Sequence, residues 1–215
     1  MRPRGRLGRL TRVAEFARRV PLEGVPSDED LVLALSQGRT DCLGVLVSRW
    51  EQPLYRFVYR LLERREDARD VCQETFLRVL RKAHEFKTGA RFSTWMYQIA
   101  LNLCRDQMRR QRRWGLIVRS RDDRGDGQPA FEPVAADDPS ESVAAEQRRR
   151  TVARALDDLP PEQREVLILK EYEGLKFREI AAILSCPEST VKSRMYYGLT
   201  SLRTALERRG VRGTT

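Results

Sequence analysis

The sequence predicts an all-α fold of two small helical domains, joined by a flexible acidic linker. Apolar side chains recur at the 3.6-residue helical period in two separate parts of the chain. Between them lies a stretch of about twenty residues rich in Gly, Pro, Asp and Ser, and a connection that long favours two domains. We therefore predict a basic disordered arm (1–26), an N-terminal helical domain (27–115), the linker (116–139) and a C-terminal helix-turn-helix domain (140–209).

The charge balance favours a polyanionic partner. The 215 residues contain 41 Lys and Arg against 31 Asp and Glu, a formal net charge of +10. The charge also changes sign abruptly, because residues 102–121 carry seven Arg and one Asp whereas residues 122–141 carry seven acids and one Arg. Such a change is typical of the border between a binding surface and a linker.

The cysteines indicate neither a disulfide framework nor a zinc site, because they are scattered and form no CxxC pair or Cys/His cluster. We expect Cys42, Cys72, Cys104 and Cys186 to be buried free thiols in a reducing cytoplasm. No apolar run approaches the length of a membrane span, so no membrane insertion is expected. No cofactor and no metal ligand set is indicated.

The N-terminal domain is predicted to begin at Ser27, where S-D-E-D supplies an N-cap and an acidic first turn. A short helix then ends at Gly38. The next helix, about 41–63, has core residues at helical spacing, and Pro53 inside it predicts a kink or a break into two helices.

A third helix, residues 66–86, carries one leucine away from its apolar face. Leu77 projects among polar and charged neighbours at i, i+3 and i+4 spacing, namely Asp70, Gln73, Glu74 and Arg81. Single exposed leucines are common on protein surfaces. The polar ring around this one also makes it a candidate site for docking another protein.

A fourth helix is predicted from Trp95 to Arg113, capped by Ser93 or Thr94 after a turn at Gly89. Its polar strip contains Gln98, Asn102, Arg105, Arg109, Arg112 and Arg113. Trp95 projects onto this strip, where it can stack a nucleotide base whose strand follows the guanidinium groups. We expect its ring to be exposed at the lip of a base pocket, near Phe92 and Asn102. The alternative is a solvated face with a tryptophan turned inward.

In the C-terminal domain, one helix starts near Ser140 and the next has Pro161 at its first position, with Gly174 beyond its end. KFREIAAIL, the turn SCPE and a long final helix then form a helix-turn-helix pattern. Ser185 and Glu188 are predicted to form a capping box for the final helix. Its apolar arc contains Val191, Met195, Gly198, Leu199, Leu202 and Leu206, and its polar first half suits a helix that reads a major groove.

Three stretches resemble segments of the extracytoplasmic-function (ECF) group of bacterial sigma factors. The polymerase-docking segment of that family is similar to DARDVCQETFLRVLRKAHEF, and its promoter-melting segment is similar to FSTWMYQIALNLCRDQMRRQRR. Its minus-thirty-five-binding domain is similar to LDDLPPEQREVLILKEYEGLKFREIAAILSCPESTVKSRMYYGLTSLR. The resemblance implies a transcription initiation factor, not an enzyme, that binds core RNA polymerase, directs it to specific promoters and helps to melt minus-ten DNA.

The resemblance also assigns roles to named residues. The clamp coiled coil of polymerase would bind Asp70, Gln73, Glu74, Leu77, Arg78 and Arg81. Melted minus-ten DNA would be held by Phe92, Ser93, Thr94, Trp95, Gln98, Asn102, Arg105, Arg109, Arg112 and Arg113. The minus-thirty-five duplex would be bound by Glu188, Ser189, Thr190, Lys192, Ser193, Arg194 and Tyr197. The polymerase flap is a further expected partner, and ECF relatives often have an anti-sigma factor.

The chain departs from the family pattern at several positions. The family usually continues VKSR with another basic cluster, whereas here MYYGLTSLR follows, which removes charge and adds Tyr196 and Tyr197. Leu101 precedes Asn102 where a polar or basic residue is more usual. Lys176 replaces a commoner serine ahead of FREIAAIL, so that helix is expected to lack its cap.

Two other functions are consistent with a helix-turn-helix. A stand-alone regulator would bind duplex DNA as a dimer, with the first domain acting as a ligand or dimerisation module. A DNA-processing enzyme such as a recombinase would need clustered carboxylates or an activated nucleophile, and the sequence offers neither pattern. Tight duplex binding without polymerase would favour the first of these.

Overall fold

The computed structural model describes residues 26–119 and 143–211, and within these residues it contains helices and turns without any strand. The all-α prediction is therefore confirmed. The chain forms two compact units that meet in sequence between Gln107 and Met108. The predictions for the arm before residue 26 and for linker residues 120–139 lie outside the described residues. No helix in the described ranges has the length and apolar character needed to cross a membrane.

In the described part of the first unit, helix α1 spans Asp28–Ser36, α2 spans Cys42–Leu62 and α3 spans Arg65–Arg81. A 3-10 turn, Ala83–Glu85, follows α3. Helix α4 spans Phe92–Arg119, so it starts three residues earlier and ends six residues later than predicted.

The start of α1 confirms the predicted N-cap. The backbone N–H of Asp30 donates to Ser27 Oγ at 3.1 Å, and the backbone N–H of Ser27 donates to the Asp30 carboxylate at 3.3 Å. These reciprocal bonds satisfy two donors at the helix start. The helix ends before Gly38, whose φ of +90° is readily adopted by glycine.

Helix α2 does not break at Pro53, so that part of the prediction is wrong. The helix is continuous from Cys42 to Leu62, and Leu46, Leu54 and Phe57 on its inner face are fully buried. An interior proline costs about 3 kcal/mol. Burying each of these side chains contributes about 1.5–3 kcal/mol, so packing on both sides of the proline outweighs its local cost.

The thiols confirm the cysteine prediction in three of four cases. Cys42, Cys72 and Cys104 are buried, whereas Cys186 is only half-buried, because it lies in the turn of the helix-turn-helix. Burial, with a smaller contribution from Glu51, raises the pKa of Cys72 to about 12. This thiol therefore stays protonated at neutral pH and acts as a core side chain.

In the described part of the second unit, α5 spans Val143–Asp157 and α6 spans Pro161–Leu167, with Pro161 at the first position as predicted. The chain continues through one π-helical segment, Ile168–Tyr172. Helices α7 (Phe177–Leu184) and α8 (Glu188–Arg208) follow and form the predicted helix-turn-helix.

The predicted capping box of α8 is wrong. Ser185 ends α7 in the left-handed conformation, with a φ of +53°, and Pro187 occupies the position before α8. Proline has no side-chain oxygen to accept a bond, so Glu188 starts the helix without that cap. At the start of α7, the backbone N–H of Lys176 donates to Glu179 Oε2 at 2.8 Å, so Glu179 caps this helix start although residue 176 is a lysine.

The inner face of α8 is nearly as predicted. Val191, Met195 and Gly198 are buried and Leu202 and Leu206 are half-buried, but Leu199 is 48% exposed because it lies at the margin of the apolar arc. A Cβ at Gly198 would lie 3.2 Å from Leu167 Cδ1, so the glycine lets α8 approach α6 closely.

Candidate nucleic-acid interface

The start of α4 is held by a side chain from α1. The backbone N–H of Phe92 donates to Glu29 Oε1 at 2.9 Å, which satisfies one of the free donors at a helix start. The Thr94 hydroxyl oxygen is buried without a hydrogen-bond partner in the described part of the chain. The prediction that Ser93 or Thr94 caps a helix beginning at Trp95 is therefore wrong, because a distant carboxylate caps an earlier start.

A second set of contacts joins α1, α2 and α4. The Asp28 carboxylate accepts bonds from Trp50 Nε1 at 2.8 Å and from Arg49 Nη1 at 2.7 Å. The Trp50 ring then lies edge-on to Phe92 and Tyr97, with centroids 5.9 and 6.1 Å apart. These contacts join α1 and α2 to the first turns of α4.

An open cleft of about 520 Å³ lies between α1 and this loop. Helix α1 contributes Glu29, Asp30 and Leu33, and the remaining lining residues are Phe86, Thr88, Gly89, Ala90, Arg91 and Ser93. Gly89 has a φ of +86°, as the predicted tight turn requires. The carboxylates of Glu29 and Asp30 accept bonds from amino groups such as those on base edges, and Arg91 supplies a cation to the same cleft.

Trp95 is half-buried, so the prediction that its ring is exposed is not met. The ring packs against Phe86 at a centroid distance of 5.3 Å and against Phe92 at 6.5 Å. Phe86 lines the cleft, so the Trp95 ring packs against part of the cleft wall. The ring is therefore neither buried in the central core nor exposed at the lip of a base pocket.

The polar strip of α4 is accessible along most of its length. Asn102, Arg109, Arg112 and Arg113 are exposed, and Gln98 and Arg105 are half-buried. The strip therefore offers cationic groups over several turns beyond the cleft. Such a row suits contact with successive phosphates of one strand.

Phe92, by contrast, is fully buried, so its side chain is not available to DNA in this structure. We expect Phe92→Ala to destabilise the first unit by about 3–5 kcal/mol, the usual cost of truncating a buried phenylalanine. Denaturant unfolding of the purified chain measures this. Leu77→Ala, at an exposed site, is the control and should change stability by no more than about 0.5 kcal/mol; equal stabilities would contradict the assignment of Phe92 to the core.

The candidate docking surface on α3 is exposed around one leucine. The Leu77 side chain is 44% exposed, as its position off the apolar face predicted. Beside it, Glu74 accepts bonds from Arg78 Nε at 3.1 Å and from Arg81 Nη2 at 3.2 Å. Asp70 is exposed and Gln73 is half-buried, so the six predicted residues share one accessible surface.

The candidate reading helix, α8, presents its first half outward. Ser189, Lys192, Ser193 and Tyr197 are exposed, and Glu188, Thr190 and Arg194 are half-buried. Lys192 Nζ lies 2.8 Å from Glu188 Oε1, and the Ser193 hydroxyl donates to the Thr190 carbonyl at 2.9 Å. Several of the predicted contact groups thus already have partners within the helix.

Sequence reasoning missed the contributions of α1. Asp28 and Glu29 were interpreted only as an acidic first turn, yet they bind Trp50, Arg49 and the start of α4. Glu29 is 63 residues from its partner in the chain. No local pattern signals such a pair, although the acidic cluster was visible.

Two family models match separate segments of the chain. The Sigma-70 region 2 model matches residues 46–113, which include most of α2, all of α3 and most of α4. The Sigma-70 region 4 model matches residues 149–202, which include α6, α7 and most of α8. The acidic wall of the cleft, on α1, lies outside both matched segments.

Relatives that match over most of their length identify the family more closely. The ECF RNA polymerase sigma factor SigE of Mycolicibacterium smegmatis is 34% identical over 185 residues, covering 83% of this chain and 68% of the relative. The ECF RNA polymerase sigma-E factor of Escherichia coli K12 is 31% identical over 174 residues, covering 79% and 89%. The chain belongs to the ECF RNA polymerase sigma factors. The resemblance inferred from its motifs is thus confirmed.

A solved structure has the same fold as this ECF sigma factor. The sigma factor RpoE of Bartonella quintana, determined in complex with the anti-sigma factor NepR, is 26% identical with a TM-score of 0.59. The match covers 75% of this chain and 94% of that one.

Proposed function

We propose that this ECF sigma factor is a transcription initiation factor that binds core RNA polymerase, directs it to specific promoters and helps to separate the strands at the minus-ten element. The observation that carries the proposal is the cleft at the head of α4, which is followed along the same helix by exposed cationic side chains. A site for one base beside a track for the backbone suits a melted strand better than a duplex.

The minus-ten part of the proposal assigns different roles to different residues of α4. An unstacked base enters the cleft, against Phe86 and the loop from Thr88 to Ser93, and stacks on the accessible part of the half-buried Trp95 ring. The strand then follows Gln98, Asn102, Arg105, Arg109, Arg112 and Arg113. Removing a base from the stack costs a few kcal/mol, which stacking and hydrogen bonds in the cleft offset.

The other two surfaces position the polymerase on the promoter. In this proposal, Leu77 and its ring of charged neighbours bind the clamp coiled coil, and α8 enters the minus-thirty-five major groove through the residues from Glu188 to Tyr197. The flap of polymerase and an anti-sigma factor are further proposed partners. The chain acts in the cytoplasm. It does not itself catalyse RNA synthesis, because polymerase carries out that reaction.

Promoter-directed RNA synthesis tests the whole proposal. The purified chain is added to a bacterial core polymerase with a library of genomic promoter fragments, and RNA start sites are read by sequencing. We expect defined starts that share minus-ten and minus-thirty-five sequences. Transcription that stays at the level of core polymerase alone, together with tight duplex binding by a dimer of the chain, would instead support a stand-alone regulator.

The cationic strip predicts a specific salt dependence. In the holoenzyme, Arg112→Ala Arg113→Ala should weaken binding to a template with a single-stranded minus-ten region. It should also reduce the slope of log K against log salt by about 0.7 for each lost single-strand contact. Both arginines are exposed, so the fold should not change. Arg39→Ala, on the loop between α1 and α2, is the control that removes one charge away from the strip; a loss in that variant as large for each removed charge would contradict a role for the strip.

A further inference from the structure

Two adjacent tyrosines stand out on the outer face of α8. Tyr196 is 69% exposed and Tyr197 is 60% exposed, and their rings form an edge-to-face pair with centroids 5.5 Å apart. They lie one helical turn after Lys192 and Ser193, at the i+4 positions. The pair therefore continues the surface that the proposed function places in the minus-thirty-five groove.

Two cations lie in the first half of α8. Lys192 is paired with Glu188 and also lies 5.9 Å from the Phe177 ring. The other cation in the first half of α8, Arg194, is half-buried, and its Nη1 lies 4.0 Å from Cys186 Sγ. The commonest specific contact in a major groove, an arginine or lysine on guanine, would have to come from one of these two residues. The largest exposed side chains on this part of α8 are the two tyrosines.

We infer that Tyr196 and Tyr197 recognise the 5-methyl groups of thymine in the minus-thirty-five duplex. This inference rests on the proposed function and adds a base preference to it. In the major groove the thymine methyl is the one apolar mark among the base edges, and apolar side chains read it by contact. A tyrosine ring offers a large, rigid apolar face at low conformational cost. The pair thus adds an apolar contact to whatever hydrogen bonds Lys192 and Arg194 make in the groove.

The test removes single methyl groups from the DNA. Holoenzyme reconstituted from the full chain and a bacterial core polymerase first selects its preferred sequence from promoters randomised in the minus-thirty-five region. Each thymine of the selected duplex is then replaced by deoxyuracil, which lacks only the 5-methyl group. We expect affinity to fall about fourfold at one or two positions, the factor that corresponds to one buried methyl group.

Variants assign the effect to the pair. Tyr196→Ala Tyr197→Ala should bind the thymine and deoxyuracil duplexes equally, whereas Tyr196→Phe Tyr197→Phe should keep the preference because the rings remain. Tyr172→Ala, at an exposed tyrosine of the second unit outside α8, is the matched control and should also keep it.

The outcomes separate this inference from the proposed function. A selected sequence without thymine, or one that tolerates deoxyuracil everywhere, would overturn the inference alone. A double alanine variant that loses affinity for core polymerase while keeping the thymine preference would assign the pair to a protein contact and also overturn it. A holoenzyme that selects no minus-thirty-five sequence at all would overturn the proposed function as well.

Discussion

Leu77→Asp is expected to weaken binding of the chain to core RNA polymerase by about thirtyfold or more. The side chain is 44% exposed in the free chain and is proposed to become buried against the clamp coiled coil. An aspartate there would lose the apolar contact and bury a charge beside Glu74 and Asp70, which are also acidic. Loss of an interface hot spot costs about 2 kcal/mol or more, which corresponds to this factor.

Competition against a labelled wild-type chain for a limiting amount of core polymerase measures the effect. Because Leu77 is exposed, thermal unfolding of the variant should match that of the wild-type chain. Leu199→Asp introduces the same charge at a leucine of similar exposure in the second unit, 48%, and serves as the matched control. Unchanged competition by Leu77→Asp, or an equal loss in both variants, would count against the docking surface on α3.

Local signals in the sequence predicted most of the fold, because the start and end of a helix depend mainly on residues within one helical turn. The capping box at Ser27 and the first-turn proline at Pro161 both depend on residues within one helical turn, and both are confirmed. The failures occur where two local signals compete or where a distant group intervenes. Ser185 can cap a following helix or end a preceding one, and the structure uses it for the second purpose.

The candidate site was predictable only in part, for the same reason. The off-face position of Leu77 and the arginine row of α4 follow from helical periodicity alone. The cleft does not, because its acidic wall belongs to α1 and its loop is held by a bond between Glu29 and Phe92. That same bond caps the earlier start of α4, whereas the Phe92 and Trp95 side chains are covered by aromatic packing on Trp50 and Phe86, which helical periodicity does not reveal.

Trp95→Ala is expected to reduce the formation of open promoter complexes about five- to hundredfold while leaving affinity for core polymerase within about twofold. Stacking of a base on an aromatic side chain contributes about 1–3 kcal/mol, which sets this range. The ring also packs on Phe86 at 5.3 Å, so the alanine variant should lose some stability. Trp95→Phe keeps an aromatic ring at this position and should recover most of the opening activity. Fluorescence of 2-aminopurine placed in the minus-ten region measures opening, and the competition assay measures core binding.

A template that lacks one base separates a stacking role for Trp95 from a supporting one. On a forked template with a single-stranded minus-ten region, removal of the stacked base should lower the affinity of wild-type holoenzyme to that of the Trp95→Ala holoenzyme. The variant should be insensitive to the same removal, because a contact already lost cannot be lost again. If every abasic position instead weakens both holoenzymes equally, Trp95 serves only to hold Phe86 and the loop in place. The cleft then binds its base without the tryptophan, and the half-buried position of the ring is explained by packing alone.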